Sequence, residues 1–324
     1  VMLLFKCLAI PFIFLVMPAL WRNLCPLAAS NQLPRTFGFT HGLALTPALR
    51  DLSFQFGMLL LFCLVLARKW LFNDSAIATA LLILGALCAA FLGGLLFKGK
   101  SGWCSSFCPL LPIQRLYGQT PFIPLANTHC QPCVGCTKNC YDFNPSVAYL
   151  ADQYDDDKHY VAYRRFFAAL LPGFLLAFYQ VPLESIAHVL AHTLLWMLLS
   201  VGIFYSLETF LRVRKNTLPV VYAAIAINIY YWYNAMVLQK TLRYFSVSHI
   251  DSLRWLIRFW ILLLSLTWLW RSLQAERAFL VRVLQQKIGP VSLAAATKRR
   301  WLALKKKMRS EADALRQLLN AMQV

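Results

Sequence analysis

The chain has 324 residues, of which 59% are hydrophobic and 14% are charged, and its mean hydropathy is +0.56. This composition excludes an ordinary soluble domain and predicts an integral membrane protein that contacts lipid and crosses the bilayer several times. The formal net charge of +19 does not indicate nucleic-acid binding. Membrane proteins collect Lys and Arg on their cytoplasmic side, and the basic and aromatic interleaving of nucleic-acid modules is missing from this sequence.

Apolar segments long enough to cross a bilayer recur along the chain, and the sequence predicts about seven transmembrane helices. The first segment could instead be a signal peptide, but no A-x-A cleavage site follows it, so we interpret it as a retained helix. Residues 22 to 51 contain several Pro and Gly residues and are predicted to form a polar loop. The predicted spans are residues 1 to 20, 52 to 72, 76 to 97, 166 to 182, 185 to 208, 218 to 238 and 253 to 270.

These spans divide the chain into four predicted regions. Residues 1 to 97 hold three spans and a Cys-Pro loop, residues 98 to 165 hold most of the cysteines, residues 166 to 270 hold four spans, and residues 271 to 324 form a basic tail. Apolar residues in the tail recur at three- and four-residue steps, which suits an amphipathic helix that lies on anionic lipid or docks on a partner subunit.

The distribution of Lys and Arg predicts the orientation in the membrane. With seven spans, most of the 32 Lys and Arg residues lie on the side that holds the cysteine-rich region and the tail. Because cytoplasmic loops carry an excess of these residues, that side is predicted to be cytoplasmic and the N-terminus to be outside. We therefore expect a multi-pass protein of the inner, or cytoplasmic, membrane.

The strongest motif is a run of four cysteines with the spacing C-x2-C-x2-C-x3-C. Bacterial ferredoxins bind a 4Fe-4S cluster with this spacing, because two-residue gaps let successive thiolates cap neighbouring irons. The predicted fold class is therefore an all-α integral membrane protein of about seven transmembrane helices, with a small ferredoxin-like cluster-binding loop domain on the cytoplasmic face. The four cysteines are Cys130, Cys133, Cys136 and Cys140.

Two Cys-Pro sites precede this run, and each follows a predicted span. Cys104 and Cys108 form a C-x3-C pair with Pro109 directly after it, and Cys25 is followed by Pro26. Similar residues follow both sites, so we interpret them as a diverged internal repeat and expect Cys25 to face the cluster region. The alternative is an ordinary loop thiol, although an idle thiol beside this motif would be oxidisable. Disulfides are not expected in the reducing cytoplasm. The remaining cysteines, expected to be apolar fillers within spans, are Cys7, Cys63 and Cys88.

The order of a membrane span, W-C-x3-C-P, C-x2-C-x2-C-x3-C and further spans resembles the membrane-bound polyferredoxin group that includes the NapH, NosR and CcoG type proteins. The resemblance covers roughly residues 1 to 182. It implies 4Fe-4S clusters on the cytoplasmic side and electron transfer between the quinone pool or cytoplasmic donors and a partner redox centre. The chain departs from the pattern in having one ferredoxin run rather than two, Tyr141 rather than Pro after Cys140, and Trp21 where a partner cysteine of Cys25 would stand.

The sequence leaves open whether one or two clusters are bound. In two-cluster ferredoxins, the fourth cysteine of a run serves the other cluster. By that logic the first three cysteines of the run and Cys108 would hold one cluster, while Cys140, Cys104 and Cys25 would begin a second. One cluster with a spare set of thiols is the simpler alternative. The candidates for the missing eighth ligand are Asp142, His129, His41, a water or a thiolate from a partner.

Two histidines in the predicted fifth span form a separate candidate site. His188 and His192 are four residues apart and therefore share one helix face. Ionisable residues within spans are costly and often functional, so the pair could bind a quinone or a haem iron. Haem b is the least favoured, because two axial histidines usually come from different helices, and the nearby Glu184 suits a proton or quinone role at least as well. The alternative is a pair of ordinary hydrogen-bonded histidines near the outer interface.

Together these features predict a membrane-anchored iron-sulfur protein that relays electrons between a quinone pool or cytoplasmic donor and a redox partner, such as the subunits of a membrane complex. Two alternatives stay open, namely a cytoplasm-facing metal reductase or cofactor-assembly factor, and an anchoring subunit of a larger redox complex. The sequence has no nucleotide or flavin fingerprint and no P-loop. The expected chemistry is one-electron relay, with no catalytic side chain assigned.

Overall fold

The computed structural model describes residues 10 to 97, 102 to 104, 106 to 124, 145 to 154, 160 to 182, 184 to 244 and 250 to 288. Within these ranges the chain is almost entirely helical, and one isolated parallel bridge joins Leu43 and Phe97. The predicted cluster run, the predicted tail beyond residue 288 and Cys7 lie outside the described residues.

We number the helices in chain order. They are α1 Ile10–Val16, α2 Pro18–Leu24, α3 Pro26–Thr36, α4 Pro47–Ala67, α5 Ala76–Leu96, α6 Leu111–Tyr117, α7 Pro145–Gln153, α8 Tyr160–Gln180, α9 Ile186–Leu211, α10 Thr217–Tyr244 and α11 Ile250–Ile288. A short π-helical turn at Arg68–Phe72 continues α4.

Five of these helices are long and apolar enough to cross a membrane. They match the second, third, fourth, fifth and seventh predicted spans, so a helical, multi-pass membrane protein is confirmed at this level. The five candidate spans are Asp51–Phe72, Ala76–Leu96, Val161–Gln180, Ile186–Leu211 and Ser252–Val283.

The other two predicted spans differ from expectation. The described part of the first span is interrupted at Met17, because Pro18 cannot donate the hydrogen bond that would continue α1. The sixth corresponds to α10, a helix of 28 residues that is not among the five apolar candidates. Helix α10 lies inside the bundle, where Val220, Ala223 and Ala226 are fully buried. A helix covered by protein need not be as apolar as one that faces lipid.

The predicted polar loop at residues 22 to 51 is wrong over much of its length, because residues 26 to 36 form helix α3. Pro26, which we interpreted as a loop residue, occupies the first helical position, where its missing N–H costs nothing. Helix α3 packs against the end of α5. The Ser30 hydroxyl donates to the Leu87 carbonyl oxygen at 2.9 Å, and a Cβ on Gly94 would lie 1.9 Å from the Asn31 carbonyl oxygen.

The main core forms where α4, α8, α10 and α11 meet. Its members include Phe62, Phe167, Phe174, Ile227 and Trp268. Aromatic contacts join them, and the rings of Phe62 and Phe174 lie 4.6 Å apart at their centroids. Helices α4 and α8 bury more of their candidate spans than α5, α9 and α11 do, and these last three expose most of their apolar surface, as lipid-facing helices do.

The bundle has two ends that differ in chemistry. We call the end with Cys25, Cys104 and Cys108 the thiol end and the end with His188 and His192 the histidine end. At the histidine end, contacts between helix termini tie the bundle together. Lys69 Nζ donates to the Val181 carbonyl oxygen at 3.1 Å, and Arg258 Nη2 donates to the Trp232 carbonyl oxygen at 2.7 Å.

Candidate functional site

Three cysteines from two separate chain segments lie at the thiol end. Cys108 is buried, with 8% of its surface exposed, whereas Cys25 and Cys104 are half-buried. The pKa of the Cys108 thiol is raised to about 12, chiefly by burial and also by the Cys104 and Cys25 thiols, while hydrogen bonds from the Leu110 and Leu111 backbone oppose the shift. Cys104 and Leu27, two residues after Cys25, both pack against the buried cluster that contains Cys108.

The two Cys-Pro sites share a local backbone turn. The Ala28 amide donates to the Cys25 carbonyl oxygen at 3.0 Å, and the Leu111 amide donates to the Cys108 carbonyl oxygen at the same distance. Each turn opens a short helix, α3 after Cys25 and α6 shortly after Cys108. Both Cys-Pro sites therefore precede a helix through a similar turn, and the internal repeat stays a prediction.

Small residues allow the cysteine loop to lie directly on the helices around it. A Cβ on Gly57 of α4 would lie 3.2 Å from the Cys108 carbonyl oxygen. On the other side, a Cβ on Gly93 of α5 would lie 2.6 Å from the Gly102 carbonyl oxygen. Any larger side chain at these positions would move the loop, so the glycines fix where Cys104 and Cys108 lie.

The surroundings of Cys108 are apolar. Phe54, Ala90, Trp103 and Leu111 form a buried cluster with it, and Cys104 packs against this cluster. An apolar shell of this kind excludes water and lowers the local dielectric constant, which is one of the factors that set the potential of an iron-sulfur cluster.

Several polar groups near the thiol end are buried without a hydrogen-bond partner. Both side-chain amide atoms of Asn31, the Gln32 Nε2 atom and the Trp103 indole N–H have none among the described residues. Asn31 is fully buried and Gln32 is 4% exposed. An unpaired buried donor costs free energy, so these N–H groups fit a site that receives an acceptor such as sulfide sulfur.

The thiols fit the predicted ligand chemistry, but the described residues do not complete a ligand set. No group of three or more His, Cys, Asp or Glu side chains within the described ranges could hold a metal ion. The four cysteines of the run, with His129 and Asp142, lie outside those ranges. His41 is exposed, and its backbone amide donates to the Leu95 carbonyl oxygen at 2.8 Å. The predicted ligand roles therefore stay predictions.

The histidine pair lies at the opposite end of the bundle, at the start of α9. The ring planes of His188 and His192 are tilted by 31° and their centroids lie 3.9 Å apart, so no iron fits between the rings. His188 Nδ1 lies 3.2 Å from a Glu184 carboxylate oxygen, and His192 Nδ1 is 2.9 Å from the His188 carbonyl oxygen. Both side chains are at least partly exposed. This geometry suits an interfacial hydrogen-bonding role better than haem ligation.

Sequence patterns did not identify a second buried polar cluster at the junction of α7, α10 and α11. Its centre is Glu276, whose side chain is fully buried. We expected residues beyond 270 to leave the membrane-like part of the chain, but α11 continues unbroken and its candidate span extends to Val283. The polar residues on this stretch have partners inside the protein. The signal was weak, because an isolated Glu among basic residues looks like an exposed surface charge.

The described helices define a class, namely an all-helical protein with several helices able to cross a membrane. Comparison of the chain with models of protein families, with curated proteins and with solved structures found no match.

Proposed function

We propose that the protein is a membrane-anchored iron-sulfur electron-transfer protein similar to the membrane-bound polyferredoxin group. It would relay electrons between a quinone pool or cytoplasmic donor and a partner redox protein. The observation that supports this proposal best is the packing of Cys104, and of Leu27 two residues after Cys25, against the cluster that holds Cys108. The ferredoxin-type spacing of the four-cysteine run in the sequence supports it as well. Thiolates converging from different segments are the way in which proteins hold such clusters.

In this proposal the chain's own residues bind the cluster, shield it and tune it. Cys108 and the run supply thiolates for one 4Fe-4S cluster, while Cys25 and Cys104 either contribute to a second cluster or stay spare. The apolar residues around Cys108 exclude water. The buried N–H groups of the Asn31 and Gln32 amides and of the Trp103 indole would be available to donate hydrogen bonds to cluster or thiolate sulfur. When bound, a cluster supplies reversible one-electron transfer at a potential set by these surroundings.

The orientation is part of the proposal. The thiol end faces the cytoplasm, because most Lys and Arg residues lie on that side. Helix α10 crosses the membrane within the bundle, and an N-terminal segment that includes α1 completes about seven spans. The histidine end then lies at the outer face of the inner membrane, where aromatic residues such as Trp232 and Trp255 suit the lipid headgroup level.

The experiment is anaerobic purification of the full chain in detergent, with iron and acid-labile sulfide counted per chain. The expected result is brown protein with about four irons for one cluster or about eight for two, and a paramagnetic resonance signal after dithionite reduction. Colourless protein without iron would overturn the proposal. Substitution to Ser tests each site, and the lipid-facing Cys63 and Cys88 provide matched controls that should keep all the iron.

Activity assays on the same purified protein separate the relay function from its two alternatives. A metal reductase or assembly factor should bind and reduce an added metal ion at thiols outside the cluster ligands. An anchoring subunit should hold its cluster but show no electron transfer without its partner complex. A relay protein should have its cluster reduced by a quinol analogue or a low-potential donor and reoxidised by a second carrier.

A further inference from the structure

A chain of four hydrogen-bonded residues crosses the thiol end of the bundle. The Tyr154 hydroxyl donates to Glu276 Oε1 at 2.5 Å, and the Asn216 backbone N–H donates to the same oxygen at 3.1 Å. Asn216 Nδ2 then donates to Gln119 Oε1 at 2.9 Å. Glu276 and Asn216 are fully buried, and Gln119 is 2% exposed. We call the four residues Gln119, Asn216, Glu276 and Tyr154 the clamp.

The two outer members of the clamp lie on opposite sides of the cysteine run in the sequence. Gln119 follows α6, the helix that begins after Cys108. Tyr154 follows α7, which begins five residues after Cys140 at Pro145. The two inner members come from elsewhere, since Asn216 lies in the turn before α10 and Glu276 lies on α11. The clamp therefore joins the segment before the run to the segment after it through two helices of the bundle.

Further hydrogen bonds tie the segment after α6 to α11. The Trp268 indole N–H donates to the Tyr117 carbonyl oxygen at 3.0 Å. Thr120 and Ser272 share a hydrogen bond of 2.6 Å between their hydroxyl oxygens, and Arg271 Nη2 donates at 3.0 Å to a backbone carbonyl oxygen. Trp268, Ser272 and Glu276 recur at four-residue steps and so lie on one face of α11. That face holds the chain between Tyr117 and residue 121.

The segment after the run is tied in a second way. Gln153 Nε2 donates to the Lys215 carbonyl oxygen at 3.1 Å, next to Asn216. The Lys215 ammonium group lies 5.7 Å from the centroid of the Tyr154 ring, a distance at which a cation is attracted to an aromatic face. The turn before α10 thus contacts both outer members of the clamp.

Burying Glu276 is costly, which argues against an incidental arrangement. Its nearest cation is Arg214, whose Nε lies 3.7 Å from Glu276 Oε2. Among the described residues, Glu276 Oε2, Asn216 Oδ1 and Gln153 Oε1 are buried acceptors without a hydrogen-bond donor. A buried carboxylate is destabilising unless it is paired and hydrogen-bonded. Ordered water is the usual partner for such leftover groups.

We infer that Glu276 and Asn216 are positioning residues, which hold the segment after Cys108 and the segment after the run in fixed places on the bundle. This inference rests on the proposed function, because it gives the clamp the task of setting the geometry of a cluster-binding region. Neither residue touches iron in this scheme. Glu276 acts through Tyr154 and Asn216, and Asn216 acts through Gln119.

The test uses four variants of the full chain. Tyr154→Phe removes the hydrogen bond to Glu276, and Gln119→Met removes the bonds to Asn216 Nδ2 and to the Leu116 carbonyl oxygen. Asn216→Ala breaks the link to Gln119 but keeps its backbone N–H on Glu276, whereas Glu276→Ala removes both hydrogen bonds at the centre. Ser265→Ala is the matched control, because Ser265 is a fully buried residue of α11 that hydrogen-bonds Asn228 of α10 at 2.7 Å and touches no member of the clamp.

Two readouts are measured, and the first does not require that the protein bind iron. The first is the alkylation rate of each cysteine in iron-free protein, followed by mass spectrometry. The clamp variants should raise the rates at Cys108 and in the run by about fivefold or more, as expected for the loss of a buried hydrogen bond, while Cys63 stays unchanged. The second readout is made on iron-loaded protein. Iron retention should fall, and the paramagnetic resonance lines should broaden. Ser265→Ala should match the wild type in both.

The outcomes are distinguishable. If the wild type binds no iron, the proposed function fails, but the alkylation rates still test the clamp. If the wild type binds iron and no clamp variant changes either the alkylation rates or the line width, the inference is overturned. Equal effects of Ser265→Ala and Glu276→Ala would also overturn it, because they would indicate general loosening of α11. Should the central variants fail to fold, Tyr154→Phe and Gln119→Met decide the matter.

Discussion

Gly93 and Gly102 lie so close together that a Cβ on Gly102 would be 1.8 Å from the Gly93 carbonyl oxygen. This contact joins the end of the transmembrane helix α5 to the loop that carries Cys104 and Cys108. Two glycines facing each other are the only pair of residues that permits such an approach, because every other residue has a Cβ. The position of the thiols therefore depends on a contact between two backbones.

Substitution of Gly102 by Ala should displace the cysteine loop. Overpacking of a tight contact typically costs about 1 to 3 kcal/mol, so we expect a lower thermal unfolding temperature in detergent and loss of bound iron. Gly85→Ala on α5 is the matched control, because a Cβ at Gly85 would meet nothing within 4 Å. Unchanged iron content in Gly102→Ala would show that the loop tolerates displacement.

Substitution of Asn31 by Leu should have opposite effects with and without a cluster. Without iron, the buried amide has no partner, so replacing it should leave stability unchanged or raise it, by up to about 1 to 3 kcal/mol. With iron, the variant loses a donor toward sulfur, and the midpoint potential should become more negative, because hydrogen bonds favour the more negatively charged reduced state. Thermal unfolding and redox titration measure the two effects. An unchanged potential would remove Asn31 from the cluster's surroundings.

The two histidines should not be needed for reduction of the clusters. They lie at the far end of helices of about 20 residues, roughly 30 Å from the thiol end at 1.5 Å per residue. His188→Ala and His192→Ala are therefore expected to leave quinol-driven cluster reduction unchanged, with no Soret band in the visible spectrum of any form. A marked loss of the reduction rate in either variant, with full iron content, would instead assign the pair to quinone binding.

The phenol of Tyr154 should remain protonated in alkaline solution. Burial, followed by the Glu276 carboxylate that it faces, raises the pKa of Tyr154 above the ordinary value of about 10, although Arg214 and the Lys215 backbone oppose the shift. A raised folded-state pKa means that the stabilising effect is complete below about pH 10 and is lost at higher pH. Phenolate absorbance of the wild type and of Tyr154→Phe should therefore superimpose up to about pH 11. An extra ionisation near pH 10 in the wild type alone would contradict this.

Much of the helical architecture could be predicted, because apolar length is a direct consequence of bilayer thickness. The five apolar helices follow from composition alone. Helix α10 was harder to classify, because its tyrosines and asparagines are satisfied by neighbouring helices and do not need to match lipid. Helix α3 was missed because Pro26 and Pro34 suggested a loop. In the structure Pro26 begins the helix and Pro34 lies within it.

The candidate site, like the fold, could be predicted only in part. Spacing singled out the four-cysteine run, because such ligand motifs are local. The similar residues after Cys25 and Cys108 suggested that Cys25 faces the cluster region, and this stays a prediction. The clamp could not be predicted, because Gln119, Asn216 and Glu276 are separated by many residues and become neighbours only after α11 packs against the loop after α6. Glu276 looks like a surface charge in the sequence. Only the packing of the bundle shows that it is buried at the centre of a hydrogen-bond network.

Helix α11 has 39 residues, which corresponds to a rod of about 58 Å, almost twice the thickness of the hydrocarbon core. Its excess length lies at the thiol end of the bundle, where Ser272 and Glu276 form hydrogen bonds with residues of other segments. Because Ser272 and Glu276 on this end of α11 hydrogen-bond Thr120 and Tyr154, a shift of the helix end would move the segments on both sides of the cysteine run with it.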